Sequence, residues 1–504
     1  MMKPRTTGLC LLLYAVAAAV LRGFQLSVPV FKVPFVFGSV LGWITSAVLA
    51  VIGLWLMLRA KQQWQMSPQT AKKLRRFRAI RRGYISFLLL LGLAGLASLD
   101  TLLVGKRALM VSYEGKWYFP FVTSMLPGTT FGSPSEAEID YRELQARCRA
   151  DKKGNWVLMP LVPFDSSLDT PPVIAALEMR NGKVCREGDS EPFSGSGYSV
   201  FIAKPEQKRQ EWQFRHGVRQ GDMRGYDVTG EQVEKGHFEN DARVSHEEFV
   251  SGKAAALEKQ AHPQLHTLIY PPVAPSWHTR HYLGTNDTGL DVLAMLFGGL
   301  QQSLGVAVLY LLITFALGLT YGSMLGYFGG LIDLCGQRFV EIWSVLPFLF
   351  VVMLISSLVS PTLLVLVTIL AAFGWMETAA YIRTATYKEK ERDYVAAARL
   401  LGASTTRILF QHVMPNVIAI LVTLAPFKVA SVITSLAALD FLGFGLPPDV
   451  ASWGRLLHEG VENFSYPWIV TSAFTAMATV LVLVTFVGEA VREAFDPKKF
   501  TTYE

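Results

Sequence analysis

The chain has 504 residues, of which 51% are hydrophobic and 17% charged, with a formal net charge of +7. Soluble domains carry charge on about 25% of their residues, whereas several windows here hold the roughly 20 mostly apolar residues that a spanning helix needs. This excludes an ordinary soluble globular protein and indicates an integral membrane protein.

Residues 9–21 are apolar and follow Lys3 and Arg5. That outline fits a signal peptide, but Ala17, Ala18 and Ala19 lie inside the apolar stretch rather than after it, which favours an uncleaved first helix. A second apolar segment, 35–58, runs into Arg59, Lys61, Lys72, Lys73, Arg75, Arg76, Arg78, Arg81 and Arg82 with no acidic residue among them. A basic cluster between apolar segments fits a cytoplasmic loop obeying the positive-inside rule better than a nucleic-acid site, so no nucleic-acid partner is expected. A third segment, 84–104, leads away from that loop to the far side of the membrane.

Residues 105–288 form a long polar stretch without a spanning window. Alternating pieces such as WVLMPLVPF and YSVFIA predict short strands. The stretch is expected to be an extracytoplasmic α+β or mostly-β insertion. Cys148 and Cys185 both fall in it, and outside the cytoplasm a disulfide between them is expected, although sequence does not fix its geometry. His262 with His266, and His278 with His281, have spacings seen among metal ligands, but Pro263 and the lack of a cysteine pair favour ordinary polar surface. No metal site is expected.

Five further spans are expected at 303–328, 339–359, 362–381, 413–439 and 468–488, giving about eight in all. The fold class is therefore an all-α polytopic membrane protein with one inserted extracytoplasmic domain. Its expected divisions are two N-terminal helices (1–60), a basic loop (61–83), a helix (84–104), the insertion (105–288), a five-helix core (289–490) with a cytoplasmic loop at 388–412, and a tail (491–504). Both termini are expected on the cytoplasmic side, the C-terminal one with Lys498 and Lys499.

Within the core, Gly318, Gly322, Gly326 and Gly330 recur every four residues, so a helix places them on one face where backbones approach closely. The neighbour is either in this chain or in a partner subunit. Pro347, Pro415 and Pro426 sit in or beside spans and permit bends. Glu377 lies near the cytoplasmic half of a span, where a carboxylate either faces a pathway or sits at the interface and pairs with Arg383. Asp333, Arg338 and Glu341 cluster near one turn and predict an ion-pair network.

Between two spans stands DYVAAARLLGASTTRILFQHVMPN, 393–416. Ala396, Ala397 and Ala398 favour a short helix. Gly402 suits the left-handed position that ends one, and Ser404 or Thr405 can cap the next. The expected shape is helix, sharp turn and second helix, on the cytoplasmic side with Arg383, Lys388, Lys390, Arg392, Arg399 and Arg407. Physically it is either a docking element or a plain surface connection.

The stretch resembles the EAA coupling loop of binding-protein-dependent ABC importer permeases, and more narrowly the dipeptide/oligopeptide branch. The resemblance rests on Tyr394, Val395, Ala397, Ala398, Arg399, Leu401, Gly402, Ala403 and Ser404, followed by His412 and the Pro415-Asn416 ending. LGTNDTGLDVL at 283–293, GYFGGLIDLCGQRFVEI at 326–342, FLGFGLPPDVASWG at 441–454 and the terminal AFDPKKF extend it in order over about 283–500. YEGKWYFPFV at 113–122 is similar to a segment of the peptide permease branch that includes the microcin C importer.

The resemblance implies half of a translocation pathway, completed by a second homologous permease. An extracytoplasmic binding protein would deliver a peptide or peptide-like substrate, and two ABC ATPase domains would use ATP and Mg. Tyr394, Ala396, Ala397, Ala398, Arg399, Gly402, Ala403, Ser404 and Pro415 would form the ATPase coupling element. The chain itself has no GxxxxGK[ST] phosphate loop and no cofactor is expected in it. It departs from the family pattern at Ala396, where Glu is usual, and at Asn286, Leu290, Leu436 and Asp440. A membrane-anchored extracytoplasmic enzyme and an envelope-complex scaffold are the alternatives from other classes.

Overall fold

The computed structural model describes residues 4–23, positions 46, 47, 50, 51 and 54, and 68–495 apart from breaks at 124, 134–135, 152–153, 168, 188–190, 202–206, 228, 249–263 and 360–361. Most of the expected span 35–58, the tail beyond 495 and His262 lie outside the described residues.

The helices are α1 (Pro4–Gly23), α2 (Pro68–Ala79), α3 (Arg81–Ser98), α4 (Tyr141–Asp151), α5 (Val292–Phe328), α6 (Gly330–Val345), α7 (Phe348–Leu358), α8 (Leu363–Lys390), α9 (Asp393–Leu400), α10 (Thr405–Phe441), α11 (Trp453–Glu462) and α12 (Pro467–Phe495). Among the described residues, α5, α8, α10 and α12 are long and apolar enough to cross a membrane. The bent pairs α2 with α3 (94°) and α6 with α7 (70°) bring the number to six if each is one span.

Local chemistry sets these boundaries. Asp291 caps α5 by accepting the Ala294 N–H at 2.8 Å, so the helix starts well before the expected 303 and runs for 37 residues. At ~1.5 Å per residue it is about 55 Å long, well beyond the ~30 Å hydrocarbon core. The expected continuous span 339–359 is instead broken at Leu346 and Pro347, both in extended conformation. Proline disfavours helical geometry at the residue before it, and α6 and α7 meet there at 70°.

Two cores hold the helices together. One joins Val306 and Tyr310 of α5, Val352 of α7, Leu366 and Leu370 of α8, and Val432 and Leu436 of α10. The other joins Ala97 of α3, Leu300 of α5, Ile433 of α10, Trp453 of α11, and Val480 and Val484 of α12. Outward leucines such as Leu312 and Leu354 stay exposed, as lipid-facing helix surfaces require.

The chain forms two compact units, Thr170–Gly289 and the remainder. In the larger unit, β1 (Met110–Tyr113) pairs antiparallel with both β2 (Lys116–Tyr118) and β3 (Trp156–Leu158). Glu114 (φ 50°) and Gly115 (φ 76°) turn β1 into β2, the two left-handed residues that a tight hairpin requires. Ala108, Val111, Phe131, Tyr141, Leu144 and Cys148 form the core beneath this sheet.

Arg142 anchors that subdomain, with its guanidinium 2.7 Å from Asp140 and 2.9 Å from the buried Asp169. Burial pushes the Asp140 carboxyl up, but the Arg142 fork and backbone donors outweigh it and hold the group below the usual carboxylate range. Arg142→Met strands the Asp169 carboxylate and is expected to cost about 3 kcal/mol. Thermal unfolding of the detergent-solubilised protein checks this, and adding Asp169→Asn should restore part of the loss.

Thr170–Gly289 is built, among its described residues, on an antiparallel sheet of nine strands in the order β11-β10-β9-β7-β6-β12-β4-β5, with β8 (Val218–Arg219) beside β7. These strands are β4 (Val173–Arg180), β5 (Lys183–Arg186), β6 (Gly195–Val200), β7 (Lys208–Arg215), β9 (Gly221–Tyr226), β10 (Gln232–Glu239), β11 (Ala242–Glu248) and β12 (Leu265–Ile269). Trp212 and Phe214 alternate inward from β7 onto Leu177, Val184, Phe193, Met223 and Phe238, the period-two pattern of a half-buried strand.

The expected Cys148–Cys185 disulfide is not formed. Both are free, buried thiols, Cys148 on α4 and Cys185 on β5. Cys148 packs as a small apolar side chain among Val111, Phe131, Tyr141 and Leu144.

Candidate functional site

The loop between α8 and α10 has a defined shape. α9 ends at Leu400, and Gly402 takes φ 78°. The Gly402 N–H donates to the Arg399 carbonyl and the Ala403 N–H to the Ala398 carbonyl, both at 3.0 Å. These are the two bonds of a Schellman close, which needs a left-handed residue where Gly402 stands. Ser404 then caps α10, its hydroxyl accepting the Arg407 N–H at 3.3 Å. The start of α10 is wound as a π-turn over Ile408–Val413, directly before Pro415. A π-turn accommodates the missing proline N–H without a break in the helix.

One face of this loop is anchored and the other is open. Val395 is fully buried against Ile408, Leu409, Val413 and Met414, with Leu319 and Tyr327 of α5 alongside. The Tyr394 hydroxyl donates to Glu389 Oε1 at 2.6 Å and accepts from Asn416 Nδ2 at 2.9 Å, tying the end of α8 to the start of α10. Burial, then the Glu389 carboxylate, push the Tyr394 phenol above its usual value, so it stays a protonated donor. Outward stand Ala396, Ala397 and Arg399, with Leu400 and Leu401 at 89% and 87% exposure. The pair leaves an exposed apolar spot on an otherwise charged loop. Leu400 was not singled out from sequence, although its place in the LL pair at the helix end was a usable signal.

The glycine face has its neighbour inside this chain. A Cβ on Gly318 would lie 2.5 Å from Thr378, one on Gly322 would lie 2.4 Å from the Ala379 carbonyl oxygen, and one on Gly326 would lie 2.6 Å from the Arg383 carbonyl oxygen. These three press α5 against α8. Gly330 does not share the face: α5 has ended, φ is 54°, and nothing lies within 4 Å of its would-be Cβ.

The charged side chains pair differently from expectation. Arg383 binds Asp333 through two bonds of 2.5 Å, and the Tyr387 hydroxyl donates to the same carboxylate. Arg338 and Glu341 pair separately on α6. Glu377 therefore does not meet Arg383. It lies 2.6 Å from Lys428 of α10. Lys428 was missed from sequence, yet it is the one charged residue between 413 and 439, and intramembrane charges are rare enough to have marked it.

The loop after α10 turns on Asp440, which differs from the resembled pattern. Its carboxylate accepts the Leu446 N–H at 2.5 Å and the Ser452 hydroxyl. Arg455 donates to the carbonyls of Leu446 (2.6 Å), Pro447 (2.8 Å), Pro448 (2.8 Å) and Val450 (3.2 Å). The Trp453 indole reaches the Leu296 carbonyl at 2.9 Å. Asp440 and Arg455 thus hold this loop from opposite sides, so the departure at 440 has a structural use.

Residues 318–501 match the family model described as "Binding-protein-dependent transport system inner membrane component". The chain is 30% identical over 435 residues to the inner membrane ABC transporter permease protein YejE of Escherichia coli K12, covering 86% of this chain and 99% of that protein. It is 28% identical over 450 residues to the peptidoglycan transport system permease protein YejE of Agrobacterium fabrum, covering 88% and 96%. It is 34% identical over 233 residues to the oligopeptide transport system permease protein OppC of Mycobacterium bovis, covering 46% and 78%. An alignment over 86% of this chain and 99% of the E. coli protein at 30% identity is a statement of descent: this chain belongs to the family of inner-membrane ABC transporter permeases, the non-enzymatic, membrane-crossing components of binding-protein-dependent transport systems.

Proposed function

We propose that the chain is one permease of a peptide-class ABC importer, forming half of the pathway beside a second, homologous permease. Two ABC ATPase domains would hydrolyse ATP with Mg on the cytoplasmic side, and an extracytoplasmic binding protein would deliver the substrate. The peptide class is supported by the relatives, which are named as permeases of oligopeptide and peptidoglycan transport systems. In this reading the chain crosses the membrane eight times, both termini are cytoplasmic, and the insertion 105–288 is periplasmic.

The observation that carries the proposal is the α8–α10 loop. Its inner face is fixed by Val395 and the Tyr394 bonds, while Ala396, Ala397, Arg399, Leu400 and Leu401 project outward. An ATPase cleft that grips this outward face would move α8 and α10 together, because Tyr394 links them. Alternating access then follows as largely rigid movement of the helix bundle. Ala396 removes the usual carboxylate, so shape, the leucine pair and Arg399 carry the contact. Affinity purification of the chain from its native membrane tests this: an ABC ATPase and a second permease should co-elute, and elution of the chain alone would contradict it.

A further inference from the structure

Lys428 and Glu377 stand at matching places. Each lies at the middle of a regular 28-residue helix segment, Leu363–Lys390 for Glu377 and Met414–Phe441 for Lys428. At ~1.5 Å per residue both are about 20 Å from either helix end, and both fall inside expected spans, Glu377 in 362–381 toward its Arg383 end and Lys428 in 413–439. The Lys428 ammonium is enclosed, with 8% of its side chain exposed, and also donates to the Gly374 carbonyl at 3.1 Å. The Glu377 side chain is 64% exposed. Only its Oε2 is engaged by Lys428.

A carboxylate turned toward hydrocarbon within a span is costly, so the face that carries it meets water or protein. The same face of α8 continues through exposed Tyr381, Thr384 and Lys388 toward the loop. On α10, Ser431 and Thr434 are also exposed, beyond Lys428. This polar line contrasts with the exposed leucines elsewhere on the bundle.

We propose that Glu377 is a cation-recognising residue of the translocation path and that Lys428 is its resident counter-ion. A substrate ammonium reaching this pair is accepted by the free side of the Glu377 carboxylate and shares or displaces the Lys428 contact. When the substrate leaves, Lys428 again neutralises Glu377, so no unpaired anion is left within the span. Binding is then an exchange of one ion pair for another. That keeps it weak, as passage through a pathway requires. Lys428 is too enclosed to meet a substrate carboxylate, so the site selects for free amino groups or basic side chains. This inference rests on the peptide-permease reading above.

The test uses the assembled transporter, with binding protein, partner permease and ATPases, in proteoliposomes, and compares uptake of trialanine with that of N-acetyl-trialanine. Glu377→Gln should lower the ratio of free to acetylated uptake about tenfold, the loss of one charge-assisted contact. Because Glu377→Gln leaves Lys428 without its carboxylate, Glu377→Gln with Lys428→Met keeps the helix pair neutral and should show the same fall. An unchanged ratio in the folded double variant would overturn the proposal. Failure of the wild-type transporter to move either peptide would overturn the peptide reading, and this inference with it.

Discussion

Gly322→Val is expected to remove most folded protein from the membrane. Gly322 lies where α5 crosses α8, and its would-be Cβ falls 2.4 Å from the Ala379 carbonyl oxygen and 3.0 Å from the Ile382 Cβ. The nearest obstacle is backbone, so no rotamer change relieves the clash. The helices α5 and α8 would have to separate, together with the contacts at Gly318 and Gly326 on either side. Overpacking of this kind costs about 3 kcal/mol or more, a large share of a typical stability of about 5–15 kcal/mol. Gly95→Val on α3 is the control, because nothing lies within 4 Å of that position; it should stay within about 1 kcal/mol of the parent. Fluorescence-detected size-exclusion chromatography of solubilised membranes reads both variants. Equal monodisperse peaks would show that the α5–α8 contact is not as close as described.

Gly402→Pro is expected to uncouple transport while sparing insertion. Gly402 sits at φ 78° and its N–H closes the turn onto Arg399. Proline fixes φ near −65° and has no N–H to donate, so the turn between α9 and α10 must reopen. Nothing lies within 4 Å of the would-be Cβ, so the bundle itself should tolerate the change. Substrate-stimulated ATP hydrolysis by the reconstituted transporter should fall at least about tenfold, equivalent to losing about 1.4 kcal/mol of coupling. Gly402→Ala keeps the N–H and meets only the left-handed backbone penalty of about 1–2 kcal/mol, so it should fall between the parent and the proline variant.

How much of this was legible in the sequence varied with the range of the physics involved. The loop 393–416 reads almost directly, because helix propensity, a left-handed glycine and a hydroxyl cap act over a few residues. The glycine stripe announced a close helix contact, but its neighbour was not readable, since nothing local to 318–326 names Thr378 or Ala379. Gly330 shared the spacing without sharing the helix, because α5 stops at Phe328. Charge pairing was the least legible feature. Glu377 and Arg383 are close in sequence, yet each finds its partner on another helix, more than forty positions away along the chain (Lys428 and Asp333). At Pro347 the proline marked a permitted bend, but the hydropathy pattern reads as one continuous span and does not show that the helix breaks there. The free thiols of Cys148 and Cys185 are not revealed by cysteine counting, since each is buried by tertiary packing.

The most direct test of the central claim is a contact at the loop tip. A photo-crosslinking amino acid placed at Leu400, exposed and outside every described core, should form an adduct with the ABC ATPase when the assembled transporter is irradiated in its membrane, and the adduct should weaken in Gly402→Pro. Adducts to lipid alone, or to no protein, in a complex that still hydrolyses ATP would contradict the assignment of 393–416 as the coupling element.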